Sequence, residues 1–179
     1  MASRRPQLPW NSTLDILVSK DGMLDWDGVR VRCALGRSGI ALDKREGDGA
    51  TPIGCWALKQ VMYRPDRVAA PATALPVSPL AADDGWCDDP GHGDYNCPVR
   101  LPHPASCEKM WREDELYDVV VVLGHNDDPP VPGLGSAIFL HVAKPGWQPT
   151  EGCVALALPD LLALLAAAVP GDRICVSGG

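Results

Sequence analysis

Tyr117-Asp-Val-Val-Val-Val-Leu123 is the stretch that most narrows the folds open to this chain. β-Branched side chains are stiff at χ1 and suit an extended backbone, and this run lacks the polar alternation of a strand with one wet face. It predicts a central strand covered on both sides. Such a strand needs partners, and further short apolar runs supply them.

Leu14–Val18 reads as a first strand, and Met23–Trp26, a turn at Asp27-Gly28 and Val29–Leu35 as a hairpin. By the two-residue period Cys33 shares a face with Val31 and is assigned to the core. A loop over 36–50 leads to Thr51-Pro52-Ile53-Gly54, and Cys55–Tyr63 forms the next strand. Strands follow at Ala137–Leu140, Val154–Ala157 and Arg173–Ser177, the last with Cys175 as a core or edge residue. Pro159-Asp160 opens an apolar helix to Ala168, with Pro in the first position and Asp in the first turn. Ser106–Leu116 is helix-compatible, with Glu113, Asp114 and Glu115 as a solvated edge. Many strands and no β-α-β alternation predict a mostly-β domain carrying one or two peripheral helices.

With 179 residues the chain has room for one domain with a genuine core. Residues 1–11 are assigned to an N-terminal tail and 12–177 to the domain, interrupted by a Pro-rich, loop-like insertion at about 64–112. A net charge of −7 argues against a nucleic-acid partner, because phosphate recognition requires clustered positive charge. No signal peptide is visible after Met1-Ala-Ser-Arg-Arg, and no apolar run reaches membrane-spanning length. Seven cysteines leave at least one unpaired in a monomer. Cys87, His92, Cys97, His103 and Cys107 invite a metal reading, but the paired spacing usual for zinc is missing. No metal and no cofactor are therefore expected. A Cys87–Cys97 or Cys97–Cys107 disulfide is the preferred alternative in an oxidising compartment.

Chemistry concentrates between Phe139 and Leu156. His141 closes an apolar run, and a Pro/Gly loop then leads to Thr150-Glu151-Gly152-Cys153. A thiol needs a base, and imidazole has a suitable pKa. The amides of Gly152 and Cys153 are candidate oxyanion donors, and glycine permits close approach of a substrate to the backbone. The competing assignment for Cys153 is a buried small hydrophobe. For His141 it is a core-edge ring bonded to a carbonyl, a bond compatible with catalysis because it fixes the tautomer.

This segment resembles the signature of the L,D-transpeptidases (the YkuD-type catalytic domain). In that family a strand-closing histidine precedes Ser/Thr-x-Gly-Cys, matched here by His141 and Thr150-Glu151-Gly152-Cys153, with a Thr-Pro-x-Gly element upstream, matched by Thr51–Gly54. The resemblance implies a β-sandwich of mixed sheets with the cysteine loop at one end and Thr51–Gly54 in the sheet floor. It implies Cys153 as nucleophile, His141 as general base and acid, and the main-chain carbonyl of Val142 as the group orienting His141. The insertion then falls where the family covers its cleft. Trp86, Asp88, Tyr95 and Asn96 suit the gripping of a stem peptide, or else cap turns and anchor the loop; His125, Asn126, Thr150 and Glu151 complete the expected binding residues.

The implied reaction is peptidoglycan cross-linking. Cys153 displaces the terminal D-amino acid of a tetrapeptide stem, and an amine of a second stem resolves the thioester. Carbapenems are the implied covalent inhibitors, and the implied location is periplasmic or wall-associated. Two residues depart from the pattern: Glu151 stands where the family usually has histidine, and Ala155 where it usually has arginine. They point to an altered acceptor, giving a 3,3 or a 1,3 link. Glu151 is also expected to raise the Cys153 pKa unless Lys144, His125 or Arg112 offsets it. The alternatives are an L,D-carboxypeptidase with water as acceptor, or a non-catalytic wall-binding or zinc-stabilised module.

Overall fold

The computed structural model describes residues 13–179, so the tail assigned to 1–11 lies outside the described residues. Strands β1 (Asp15–Ser19), β2 (Met23–Trp26) and β3 (Val29–Arg32) are followed by the two-residue β4 (Ile40–Ala41) and β5 (Thr51–Pro52), then by the long β6 (Gly54–Tyr63). The insertion holds β7 (Val77–Pro79), β8 (Asp84–Cys87), β9 (Pro98–Arg100) and β10 (Cys107–Lys109). Then come β11 (Val119–Leu123), β12 (Phe139–Val142), β13 (Val154–Leu156), helix α1 (Leu158–Ala167) and β14 (Arg173–Ser177).

The principal sheet runs β13-β12-β11-β6-β14-β1-β2-β3, with β7 added in parallel to β6. Its two ends meet. Just beyond β3, Ala34 exchanges backbone hydrogen bonds with Ala155 of β13 at 2.8 and 3.0 Å. Arg37 N donates to Thr150 O at 2.8 Å, and Thr150 N to Leu35 O at 2.9 Å. The sheet therefore curls into a nearly closed barrel, in place of the sandwich of facing sheets that the resemblance implied. Ala155 is fully buried at this seam, its side chain on the face of Cys153 and His141, so an arginine there would have to be accommodated beneath the insertion.

The β-branched run forms β11, between β6 and β12, and both its faces are covered. Val119, Val121 and Leu123 point into the barrel with Leu140, Val142, Val154, Leu156 and the leucines of α1. Val120 joins Phe139 and Tyr117 on the opposite face, under Leu80, Trp86 and Met110 of the insertion. Burial of each such side chain stabilises the fold by about 2 kcal/mol, which explains why no polar alternation survives in the run.

The insertion is not structureless. β8 pairs with β9 and β10 in a small antiparallel sheet, and Arg64, buried and stacked 3.8 Å over Trp111, ties it to the barrel. The helix expected at Ser106–Leu116 is absent, because β10 pairs there with β8 (Cys107 opposite Cys87) and the following residues turn. Among the described residues α1 is the one α-helix. The hairpin forms as read, with Asp27 and Gly28 both at positive φ in its two-residue turn, and Cys33 is buried. Cys175 lies opposite Cys55 across β14 and β6 and is joined to it as a disulfide. That bond is the correction to both pairings expected within the insertion, since Cys87, Cys97 and Cys107 are free.

Candidate active site

β12 and β13 run parallel in the register Leu140 with Val154 and His141 with Ala155. One step back, Phe139 N donates to Cys153 Sγ at 3.3 Å. Side chains alternate along a strand, so Cys153, Phe139 and His141 share the face beneath the insertion. The thiol donates to Ala137 O at 3.3 Å. His141 Nδ1 lies 2.8 Å from Val142 O, the carbonyl expected to orient it. A carbonyl only accepts, so Nδ1 carries the proton and the neutral ring presents Nε2 as its lone-pair acceptor.

The loop before the thiol is fixed by the Thr residues of both motifs. Thr150 Oγ1 donates to Cys153 O at 2.7 Å and accepts from Gly152 N at 3.1 Å. Thr51 Oγ1 accepts from Gly36 N at 2.9 Å and reaches Cys153 O at 3.4 Å, so Thr51 sits in the floor as a structural residue. Gly152 has φ of 139°, and a Cβ there would lie 2.9 Å from Ala50 O. Only glycine fits that backbone. Its amide is committed to Thr150, so an oxyanion role requires that bond to break first.

Cys153 is 7% exposed and His141 3%. Burial pushes the Cys153 thiol up to about 12; Glu108 adds to the rise, while Phe139 N–H and Lys44 oppose it. Burial pulls His141 down to about 4, partly offset by its bond to Val142 O. The resting state is a neutral thiol facing the same side as a neutral imidazole. Glu151 is not the charge that acts on the sulfur: it is exposed and pairs with Arg37 at 2.8 Å. Lys44 opposes the shift, where Lys144, His125 and Arg112 had been expected to do so.

Tyr117, Glu108 and Phe139 were not read as site residues. The Tyr117 ring packs edge-on against both Phe139 and His141, at 5.8 and 5.4 Å between centroids, and its hydroxyl donates to Glu108. Burial, then the Glu108 carboxylate, holds Tyr117 protonated. Tyr117 stands at the head of the β-branched run, an available signal; Glu108 comes from the segment misread as helix.

The residues expected to grip a peptide are mostly engaged within the protein. Trp86, Tyr95 and Asn96 are buried. Asn96 Oδ1 accepts from Trp86 Nε1 and Ala137 N at 2.9 and 3.0 Å, and its Nδ2 donates to the carbonyls of His125 and Asn126 at 3.1 and 2.7 Å. Tyr95 OH donates to Glu46 and accepts from Gly135 N. These residues anchor the roof, the competing role considered for them. The Asn126 side chain spans its own loop, bonding Val131 and Gly135. His125 packs edge-on against Trp56 at 4.7 Å and lines, with Asn126, Lys44 and Leu134, a cavity that includes neither Cys153 nor His141. Asp88 flanks the small sheet, with Oδ1 buried and unpartnered. Trp86 and Phe139, 5.0 Å apart and edge-on, cover Cys153 on one side and on the other line a cavity of about 360 Å³ shared with Gln60, Met62 and Asn96. That cavity adjoins the thiol's apolar cover.

Residues 14–176 match the YkuD family, the L,D-transpeptidase catalytic domain, and the chain belongs to that family. Among solved structures it is similar to the helical cell shape determining protein Pgp2 of Campylobacter jejuni, at 16% identity and a TM-score of 0.43, over 93% of this chain and 47% of that one. It is similar to L,D-transpeptidase 1 of Mycobacterium tuberculosis at 14% identity and 0.41, over 93% and 62%. For L,D-transpeptidase 3 of the same organism the values are 13% and 0.45, over 92% and 61%. The chain thus spans about half to three-fifths of the length of these structures. Among curated proteins nothing matches it. No helix of the described residues is long and apolar enough to cross a membrane.

Proposed function

We propose that this chain is a cysteine-dependent L,D-transpeptidase that cross-links peptidoglycan stem peptides in the periplasm or at the wall. The observation that carries the reading is the His141 Nδ1 to Val142 O bond, which leaves Nε2 as the basic atom of a ring on the Cys153 face. His141 Nε2 takes the proton as Sγ attacks the carbonyl preceding the terminal D-residue of a tetrapeptide stem. The tetrahedral intermediate collapses, the D-amino acid leaves with the proton returned by His141, and a thioester remains. An amine of a second stem gives its proton to His141 as it attacks; the C–S bond breaks and the sulfur recovers the proton. Oxyanion donors contribute on the order of 3 kcal/mol each, with Gly152 available once Thr150 releases its amide.

Because Ala155 is sealed in the barrel seam, the positive charge usual at that position has to come from elsewhere. Arg32 and Lys20 line, with Asp21, a cavity of about 380 Å³ beside Trp147 and are proposed to hold a carboxylate of the acceptor stem, Arg37 in the same wall being already paired with Glu151. Product analysis tests this. Purified enzyme given a tetrapeptide-stem muropeptide donor yields cross-linked dimers by mass spectrometry, and fragmentation distinguishes 3,3 from 1,3 links. Tripeptide product alone, unchanged by added amine, would make it an L,D-carboxypeptidase. A specific observation also supports a non-catalytic wall-binding module: the thiol is buried and its pKa is raised to about 12. Retained wall binding without any acyl adduct would establish that second reading.

A further inference from the structure

The insertion gathers a second set of reactive side chains that the acyl-transfer chemistry does not use. Cys87 closes β8, Cys107 opens β10, and the antiparallel register sets them directly opposite each other. His103, on the loop before β10, brings Nδ1 to 3.3 Å from Cys107 Sγ, and the Ala105 amide that donates to this nitrogen at 3.2 Å has to release it when an ion binds. One ligand atom each from Cys87, His103 and Cys107 lies within 4.8 Å of the other two. Ligands around tetrahedral zinc stand about 3.5–4 Å apart, given Zn–S near 2.3 Å and Zn–N near 2.0 Å. The set needs only a small contraction to close on an ion.

Two further observations point the same way. His103 Nε2, the ring atom facing away from the thiols, lies 3.1 Å from Asp94 Oδ2. Metal-bound histidines almost always hand their other ring nitrogen to such an acceptor, which fixes the tautomer and strengthens the ligand. Beside Cys87, Asp88 Oδ1 is buried without a hydrogen-bond partner. A lone buried carboxylate oxygen next to thiols is costly unless positive charge accompanies it. Cys97 is joined to the same strand, its carbonyl accepting from Cys87 N at 3.0 Å.

We propose that Cys87, His103 and Cys107 bind a structural zinc ion, with Cys97 turning its side chain to supply the fourth ligand and Asp94 orienting His103. The sequence spacing hid this set because the ligands come from three separate strands and loops, whereas paired-spacing motifs place two ligands on one turn. His92, 4.9 Å from the His103 ring, groups with Asp94 on that side of His103 and is left outside the ligand set. The ion clamps β8 to β10. β8 carries Trp86, which lies over Phe139 and Cys153, and Cys97 is followed back along the chain by Asn96, the hub of the roof. The site therefore secures the lid of the acyl-transfer site without touching substrate.

The test uses the full chain purified with its thiols reduced. Metal analysis is expected to give about one zinc per chain. Cobalt(II) substitution is expected to show the sulfur-to-metal charge-transfer bands and the intense visible bands of a tetrahedral thiolate site. Cys107→Ser and His103→Gln lose the zinc, Asp94→Asn weakens it about 10-fold to 100-fold, and Cys33→Ser, His92→Gln and Cys153→Ala keep it. Should the ligand variants fail to fold, the cobalt spectrum of the unmodified chain still decides. A metal-free folded protein, a Cys87–Cys107 disulfide found by peptide mapping of protein purified without reductant, or loss of zinc in His92→Gln would each overturn the proposal. Retention in Cys153→Ala keeps this result independent of the catalytic reading.

Discussion

His141 donates its Nδ1 proton to the carbonyl of Val142, the next residue in the chain, at 2.8 Å. A histidine that closes a strand can fold back on the following peptide, so ring orientation and tautomer are set locally, without an acidic partner. No carboxylate is needed, and the ring stays neutral in its buried setting.

The thiol and the imidazole are both neutral at rest. Cys153 is pushed up to about 12 and His141 down to about 4, each chiefly by burial. Alkylation of Cys153 by iodoacetamide is therefore expected to climb about tenfold per pH unit from pH 7 upward, following the growing thiolate fraction. Mass spectrometry of the alkylated protein gives the rate. A plateau already reached near neutrality would show a standing thiolate–imidazolium pair instead.

His141 also ties stability to acidity. The unfolded ring takes up a proton near 6.5, while the folded ring resists until about 4, so the unfolded state binds more protons between those values. Stability is lost as pH falls through that window, by about 3 kcal/mol in full. His125, also pulled down to about 4 by burial, contributes in the same window. Denaturant melts of His141→Gln between pH 4 and 7 are expected to show roughly half the wild-type slope in that window.

The outline of the fold was legible because strong local signals agree with the tertiary structure. The β-branched run, the Asp27-Gly28 turn and the Pro159 helix start all sit where the sequence put them. That His141 and Cys153 share one face was legible for the same reason, since β12 and the start of β13 are adjacent and joined by one loop. What sequence did not carry is long-range. Barrel closure depends on the Ala34–Ala155 seam, where two small residues allow close backbone approach without any periodic signal. The roof depends on Asn96 meeting four partners from other segments, and a polar residue in a Pro-rich stretch reads equally as a turn cap.

Asn96 is the residue whose loss opens the roof. Asn96→Ala strands the Trp86 indole N–H, the Ala137 amide and two loop carbonyls, at a cost of about 2–4 kcal/mol. Denaturant unfolding measures that cost. Alkylation of Cys153 in the variant is expected to accelerate under native conditions, whereas an unchanged rate would mean that Trp86 does not control access.

Thr150 holds the nucleophile loop with one hydroxyl, accepting from Gly152 N and donating to Cys153 O. Thr150→Val keeps the shape but leaves the Gly152 amide unpaired and Cys153 O with only the longer Thr51 bond, and is expected to cost about 1–3 kcal/mol and to slow acylation. Thr150→Ser restores both bonds. Parallel melts and acylation rates of the two variants check this, and equal behaviour would contradict it.

Intact-mass measurement after incubation with a carbapenem, repeated with a tetrapeptide-stem donor, tests most directly whether Cys153 and His141 form an acyl-transfer pair. The account predicts a single adduct per chain, mapped to Cys153, absent in Cys153→Ala and at least about 100-fold slower in His141→Gln. No adduct with either reagent, or an adduct on Cys97 or Cys107 with Cys153 untouched, would contradict it.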